Sequence, residues 1–214
     1  MNDFIEKLAQ LMSDELPGEA AHVEMSPSGR AKSSEYLKYA KTFKESAVAV
    51  VLFEENKVYK CLLLQRHEYE GNHSGQVCFP GGKQDEADED LLATALRECW
   101  EETGICSDQL KLIGELTPVF IPVSLHYVMP FVFFHQSKLI VQPDPYEVKD
   151  YFSFSLEELL IKSNMKRTEV PISSSKTLPN VPYFHLENKV VWGATAIMLN
   201  ELKTILLRLK RACL

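Results

Sequence analysis

The sequence predicts an α/β (α+β) fold, a mixed β-sheet sandwiched between helices. Three observations predict it. β-Rich runs lie on both sides of a central segment of helical period, at residues 47–53 and 58–64 before it and at 110–116, 118–123 and 127–134 after it. Further helical patterns stand near either end of the chain. Finally, 214 residues, 45% hydrophobic and 25% charged, suffice for one core and are too ordinary a mixture for a disordered, collagen-like or disulfide-dense chain.

Each element has its own justification. Residues 3–12 carry Phe4, Ile5, Leu8, Leu11 and Met12 at helical spacing, and the pattern stops before Pro17-Gly18. Residues 19–44 mix small, charged and Pro/Gly residues, with a short helical possibility at 34–42. Residues 1–44 therefore read as a helix and arm packed on a main domain of residues 45–214. Residues 54–57 read as the turn of a hairpin, and 77–79 as a short strand ended by Pro80-Gly81-Gly82. At residues 89–102 the period becomes helical, with Leu92, Ala95, Leu96 and Cys99 on one face, Asp88 as N-cap and Gly104 just past the end. A short helix over 156–162 opens at Ser155, and a long one covers 192–211. Between them, residues 163–181 are rich in Ser, Lys and Pro and read as a mobile loop.

The formal charge of −7 argues against broad affinity for nucleic acid or anionic membrane. Five cysteines, odd in number and without a C-x-x-C pair, read as reduced thiols, and Cys213, being penultimate, gives no prenylation signal. No basic-then-apolar leader opens the sequence, and no apolar stretch approaches the roughly 18 residues of a membrane span. The expected setting is cytoplasmic, with no nucleic-acid or membrane partner.

The chemistry concentrates on the central helix. At about 100° per residue, setting Glu98 at 0° puts Glu102 at about 40° and Glu101 at about 300°, so three carboxylates share one edge of the apolar face. Glu98 and Glu102 repel as an i, i+4 pair, which by itself destabilises a helix by roughly 0.2–0.5 kcal/mol. A hard divalent cation, Mg²⁺ or Mn²⁺, reverses that sign and accepts a partial carboxylate shell completed by water and phosphate oxygens. The six histidines make no H-x-x-x-H pair and no zinc spacing. Read alone, such a cluster is more often a solvated acidic helix end, here with Arg97 pairing to Glu101, since acidic helix faces are common.

The surrounding string decides between these. Gly81-Gly82, then Arg97-Glu98-Cys99-Trp100-Glu101-Glu102-Thr103-Gly104-Ile105, resembles the Nudix box, here over about residues 82–105. The interval from Gly82 to Glu89 is one residue longer than usual, so either Asp88 or Glu89 takes the first acidic position. Upstream, Leu63-Leu64-Gln65-Arg66 and the run from His73 to Gly82 are similar to the coenzyme A pyrophosphatase subgroup, as are Leu16-Pro17-Gly18 with Met25, Pro27 and Arg30, and the run from Trp192 to Ala196. Arg66 matches the subgroup's first arginine. Gly71 stands in place of the second, and His67 replaces a small residue.

The resemblance implies a Nudix fold and metal-dependent hydrolysis of a nucleotide diphosphate. Coenzyme A or acyl-CoA would be cut to 3′,5′-ADP and (acyl-)phosphopantetheine. It implies Glu98 and Glu102 as principal metal ligands, Glu101 as a further ligand or the base, and Arg97 orienting Glu101. Glu147 or Glu169 is an alternative base. Gly81 and Gly82 would allow close backbone approach, while Arg66 and His73 would meet substrate phosphates. Trp192, Tyr183 and Phe184 are candidates to stack on a base, and Trp100 reads as packing. Gly71 leaves ADP-ribose or a nucleoside triphosphate as alternative substrates, and a non-catalytic binding module as a further one. A homodimer is compatible with the sequence.

Overall fold

The computed structural model describes residues 3–71, 73–173 and 176–212. In chain order the elements are α1 (Asp3–Ser13), α2 (Glu19–His22), α3 (Ser33–Tyr39), β1 (Lys44–Glu55), β2 (Val58–Arg66), β3 (Val77–Cys78), β4 (Gly81–Lys83) and α4 (Leu91–Thr103). There follow β5 (Leu110–Glu115), β6 (Val119–Ile121), β7 (His126–His135), β8 (Val148–Ser155), α5 (Leu156–Leu160), β9 (Met165–Ser173), β10 (Lys176–Leu186), β11 (Lys189–Trp192) and α6 (Gly193–Ala212).

An eight-stranded sheet is ordered β3-β2-β1-β7-β5, with β4 paired to β1, β6 to β7 and β8 to β2. The β1–β7 pair is parallel and in unbroken register from Lys44↔His126 to Phe53↔His135, whereas its neighbours are antiparallel. The sheet is thus mixed, as the sequence predicts.

β1 explains why. Its side chains alternate between two cores: Val50 and Leu52 pack with α1, α5 and α6 on one face, and Ala47, Ala49, Val51 and Phe53 pack under α4 on the other. A strand covered by helices on both faces reads as a continuous apolar run rather than an alternating one. The β1–β2 hairpin closes more tightly than expected, at Asn56-Lys57, both with positive φ as a two-residue turn requires. α5 opens on a capping box between Ser155 and Glu158.

The structure corrects several expectations. Asp90, not Asp88, caps α4, its carboxylate accepting from the Ala93 N–H at 2.8 Å. Residues 165–173 and 176–181, expected as loop, are strands: β9 and β10 pair from Met165↔Phe184 to Pro171↔Thr177, and β11 completes a second, three-stranded sheet. Trp192 ends β11 instead of opening α6. Trp100 is 56% exposed rather than packed. Cys61, Cys78, Cys99 and Cys106 are free thiols, while Cys213 lies outside the described residues. Among the described residues no helix is long and apolar enough to cross a membrane.

A buried carboxylate ties the N-terminal segment to the rest. Glu201 of α6, 0% exposed, accepts from Gly18 N–H (2.9 Å), Thr117 N–H (2.9 Å) and the Thr117 hydroxyl (2.7 Å), and meets His22 Nε2 at 3.0 Å. With four partners on this carboxylate, its desolvation is offset, and its pKa lies below the usual value; burial opposes that direction and the His22 and Thr117 hydrogen bonds outweigh it.

Candidate active site

Helix α4 lies across β1 with Ala95 and Cys99 fully buried, which turns the adjacent edge bearing Glu98 and Glu102 toward β4. Gly104, at φ 71°, stops the helix, and its N–H bonds to Trp100 O at 2.8 Å. The three carboxylates sit in the last two turns, where a helix end offers no N–H groups to anions. Their charge is therefore met from outside the helix.

β4 supplies the opposing wall. It pairs with β1 through Ala47↔Gly82 and Val48↔Gly81. A Cβ on Gly82 would run into the Glu98 carboxylate, and one on Gly81 into the Ala47 carbonyl, so only glycine lets this strand and the acidic turn close on each other.

Glu102 is 2% exposed. The Gly81 N–H donates to its Oε2 at 2.8 Å, and Arg66 Nη2 stands 3.5 Å from its Oε1. Burial pushes its pKa up to about 7 against the pull of Arg66 and the Gly81 N–H, with Glu98 and Glu147 adding to the rise. Glu98 is pushed up too, by burial first, with Arg97 opposing and Glu101 and Glu147 adding. Glu101 is the exposed member of the three, at 46% of its side chain.

Arg97 does more than its sequence reading assigns. Its guanidinium donates Nε and Nη2 to the two Asp88 oxygens, each at 2.9 Å, Nη1 to Glu98 (2.9 Å) and Glu101 (2.8 Å), and Nη2 to the Lys83 carbonyl (3.2 Å). Asp88, also bonded by Thr94 Oγ1 at 2.9 Å, is held well below the usual carboxylate range by this arginine. One side chain thus fixes the loop before α4, strand β4 and two of the three glutamates.

Arg66, at the end of β2, reaches Gly81 O at 3.3 Å as well as Glu102. His73, at φ 68°, has both ring nitrogens engaged, Nδ1 by Gln76 Oε1 (3.1 Å) and Nε2 by Ser124 Oγ (3.0 Å). It joins residues 73–76 to the β6–β7 turn. Glu147, just ahead of β8, is close enough to raise both Glu98 and Glu102, while Glu169 lies exposed on β9 in the other sheet. Tyr183 and Trp192 pair across that second sheet, and Phe184 is fully buried in the core. His126 escaped the sequence reading, since a lone histidine at a strand start carries no signal. Its Nδ1 meets Ser46 Oγ at 2.6 Å, and burial, with the nearby charges of Lys44, His73, Arg66 and Lys83, lowers its pKa.

Among the described residues no three His, Cys, Asp or Glu side chains are gathered tightly enough to hold an ion as they stand. The donor set nonetheless fits a hard cation. Glu98 and Glu102 are two adjacent carboxylates whose burial disfavours their charge, and Glu101, held by Arg97, adds a third on the same turn.

Fold and site together define a protein of mixed α and β architecture in which an acidic helix turn faces a glycine strand. Residues 43–176 match the NUDIX domain, and the chain belongs to the Nudix hydrolase family, whose members cleave pyrophosphate bonds in nucleotide derivatives and generally use divalent cations. It is 32% identical over 141 residues to the Nudix hydrolase NudL of Photorhabdus laumondii, covering 66% of this chain and 74% of that one. To NudL of Yersinia pestis it is 31% identical over 141 residues, covering 66% and 69%. Among solved structures it shares its fold with a MutT/nudix family protein from Enterococcus faecalis (TM-score 0.51, 14% identity, 90% and 74% covered) and with RenU of M. smegmatis (0.50, 12%, 77% and 87%).

Proposed function

We propose that the chain hydrolyses the diphosphate of coenzyme A or of an acyl-coenzyme A to 3′,5′-ADP and (acyl-)phosphopantetheine. The observation that carries this reading is Arg66. It belongs to the coenzyme A pyrophosphatase-like run, and the fold sets it against Glu102 and Gly81, beside the acidic turn.

In this reading Glu98 and Glu102 hold Mg²⁺ or Mn²⁺, with Glu101 as a further ligand. The bound cation supplies charge neutralisation and a more acidic water. Arg66 binds a phosphate oxygen of the substrate. Gly81 and Gly82 let the diphosphate approach the backbone. Arg97 holds Glu98 and Glu101 in place through its anchor on Asp88. Glu101, hydrogen-bonded by Arg97, is either that further ligand or the base that takes the proton of the attacking water, and Glu147 is the competing base. His73, with both nitrogens bonded inside the protein, keeps residues 73–76 in position. The enzyme acts on free nucleotide in the cytoplasm.

Gly71 favours a second substrate. At the position of the subgroup's second arginine it offers no charge, which suits a nucleoside diphosphate derivative with fewer phosphates, such as ADP-ribose; a nucleoside triphosphate is the other alternative. Purified enzyme assayed with coenzyme A, acetyl-coenzyme A, ADP-ribose and deoxynucleoside triphosphates, each with Mg²⁺ and Mn²⁺, decides. Coenzyme A turnover well above the others is expected, and rapid turnover of ADP-ribose alone would sink the assignment.

A further inference from the structure

A cavity of about 270 Å³ opens away from the acidic turn, between the segment that follows α2, the start of α3, strand β6 and helix α6. It shares no lining residue with the diphosphate site. Arg30, Lys32 and Arg167 line it, against a single carboxylate, Glu19. That carboxylate is already engaged by the Ser34 N–H (2.7 Å) and hydroxyl (2.8 Å). On a chain of net charge −7, three cations around one hollow are a local reversal of sign.

One acid faces these three cations: Glu19, whose pKa is lowered against burial by the Ser34 hydrogen bonds and by nearby Lys32, leaves Arg30 and Arg167 without a carboxylate partner among the described residues. Arg30 donates to the Phe120 carbonyl at 2.6 Å, and Arg167 to the Asn180 carbonyl at 2.9 Å; among the described residues neither they nor Lys32 form an ion pair. Burial works against the charge of Arg30 and lowers its pKa. A partly desolvated guanidinium with one carbonyl partner gains from an anion, and two oxygens of a phosphate match the planar, bidentate fork of arginine. Gly29, at φ 80°, leaves open space where a side chain would stand, and the Ser28 hydroxyl on the same lip bonds to nothing among the described residues.

Val119 and Ile197 form an apolar part of the wall. The hollow exceeds what an orthophosphate fills, so a phosphate carrying a sugar matches it better than the bare ion. Hydrolysis of any nucleotide diphosphate yields such phosphomonoesters.

We propose that the cavity lined by Arg30, Lys32 and Arg167 is a second, non-catalytic site that binds a phosphomonoester, the chemical class of the enzyme's own products. The proposal rests on the hydrolase activity and not on which nucleotide is cut.

The test is calorimetric titration of the full-length protein with orthophosphate, ribose 5-phosphate and adenosine 5′-monophosphate. Two backgrounds separate the sites: a Lys32→Glu, Arg167→Glu double variant and Arg66→Gln. The double variant changes two exposed side chains and is expected to melt like wild type, so it keeps the test decisive if Arg30→Met fails to fold. The sugar phosphates are expected to bind more tightly than orthophosphate, with affinity about tenfold or more weaker in the double variant and unchanged in Arg66→Gln. Binding lost in Arg66→Gln and kept in the double variant would assign the phosphate to the diphosphate site and overturn the proposal. So would absence of saturable binding, and equal affinity for orthophosphate would overturn the product assignment. Failure of the substrate panel leaves these titrations unaffected, so the two readings fall separately.

Discussion

Glu102 and Glu201 are both buried carboxylates on helices, yet the protein treats them oppositely. Glu201 has four partners and a lowered affinity for protons, and it joins Gly18, His22 and Thr117 to α6. Glu102 has one backbone N–H and an arginine at 3.5 Å, and burial pushes its pKa up to about 7. A buried charge that is fully bonded is a structural fastener; one left under-bonded is a cost that folding alone does not explain. The second kind marks a site, because something outside the chain must complete it.

The largest expected effect breaks function without breaking the fold. Glu102→Gln should lower kcat by on the order of 10⁴-fold, about 5 kcal/mol, since it removes a proposed ligand. Its thermal midpoint in EDTA should equal or exceed that of wild type, because the costly charge is gone. Glu201→Gln should do the reverse. It places an amide against N–H donors and should cost about 3–5 kcal/mol in urea unfolding while leaving kcat of the folded protein unchanged. A Glu102 variant that unfolds, or a Glu201 variant that folds normally but is inert, would erase the distinction.

Their pH dependences should have opposite sign. The folded pKa of Glu201 is depressed, so its contribution is fully present above the unfolded value of 4.5 and is lost as pH falls through the lower folded value. The folded pKa of Glu102 is raised, so in metal-free protein the native state holds its proton longer than the unfolded one. Stability is then lost as pH rises from 4.5 to about 7, by up to about 3 kcal/mol. Melting curves of wild type and Glu102→Gln in EDTA should coincide at the acid end of that window and separate at the alkaline end.

Arg97 belongs with the under-bonded region, since it tethers Glu98 and Glu101 to Asp88. Lysine keeps the charge and loses the fork. Arg97→Lys should lower kcat about 10–100-fold with little change in KM, and raise the metal concentration needed for half activity. An unchanged metal requirement would mean that Arg97 braces the loop before α4 and nothing more.

The two glutamates also differ in how legible they are in the sequence. Glu102 stands in a periodic helix inside a recognisable string, so residue spacing alone reveals α4, its apolar face and its carboxylate arc. Asp88 and Asp90 are both good caps, and only tertiary contact of Asp88 with Arg97 and Thr94 leaves the cap to Asp90. Glu201 carries no such signal: one acid on an amphipathic helix looks solvated until the arm folds over it. The same holds for β9 and β10. Pro171 and Pro179 read as loop punctuation, yet β9 is an edge strand and β10 absorbs Pro179 at a register shift between Leu178 and Val181, with Asn180 at positive φ. Long-range pairing makes these strands, and it is invisible to a local window.

The smallest expected effect concerns the rim of the diphosphate site. His73 sits at φ 68°, a conformation it holds through Gln76 and through Ser124 across the β6–β7 turn. Ser124→Ala removes the second of these bonds and touches neither the acidic turn nor Arg66. Residues 73–76 should then sample more conformations, and Arg66, whose N–H bonds to the Gln76 carbonyl at 3.0 Å, should be positioned less firmly. KM should rise about two- to fivefold, matching one lost hydrogen bond of roughly 0.5–1 kcal/mol, with kcat and metal requirement unchanged. A fall in kcat at constant KM would place His73 at the reacting phosphate instead, and would add it to the group of side chains whose bonds are completed by substrate.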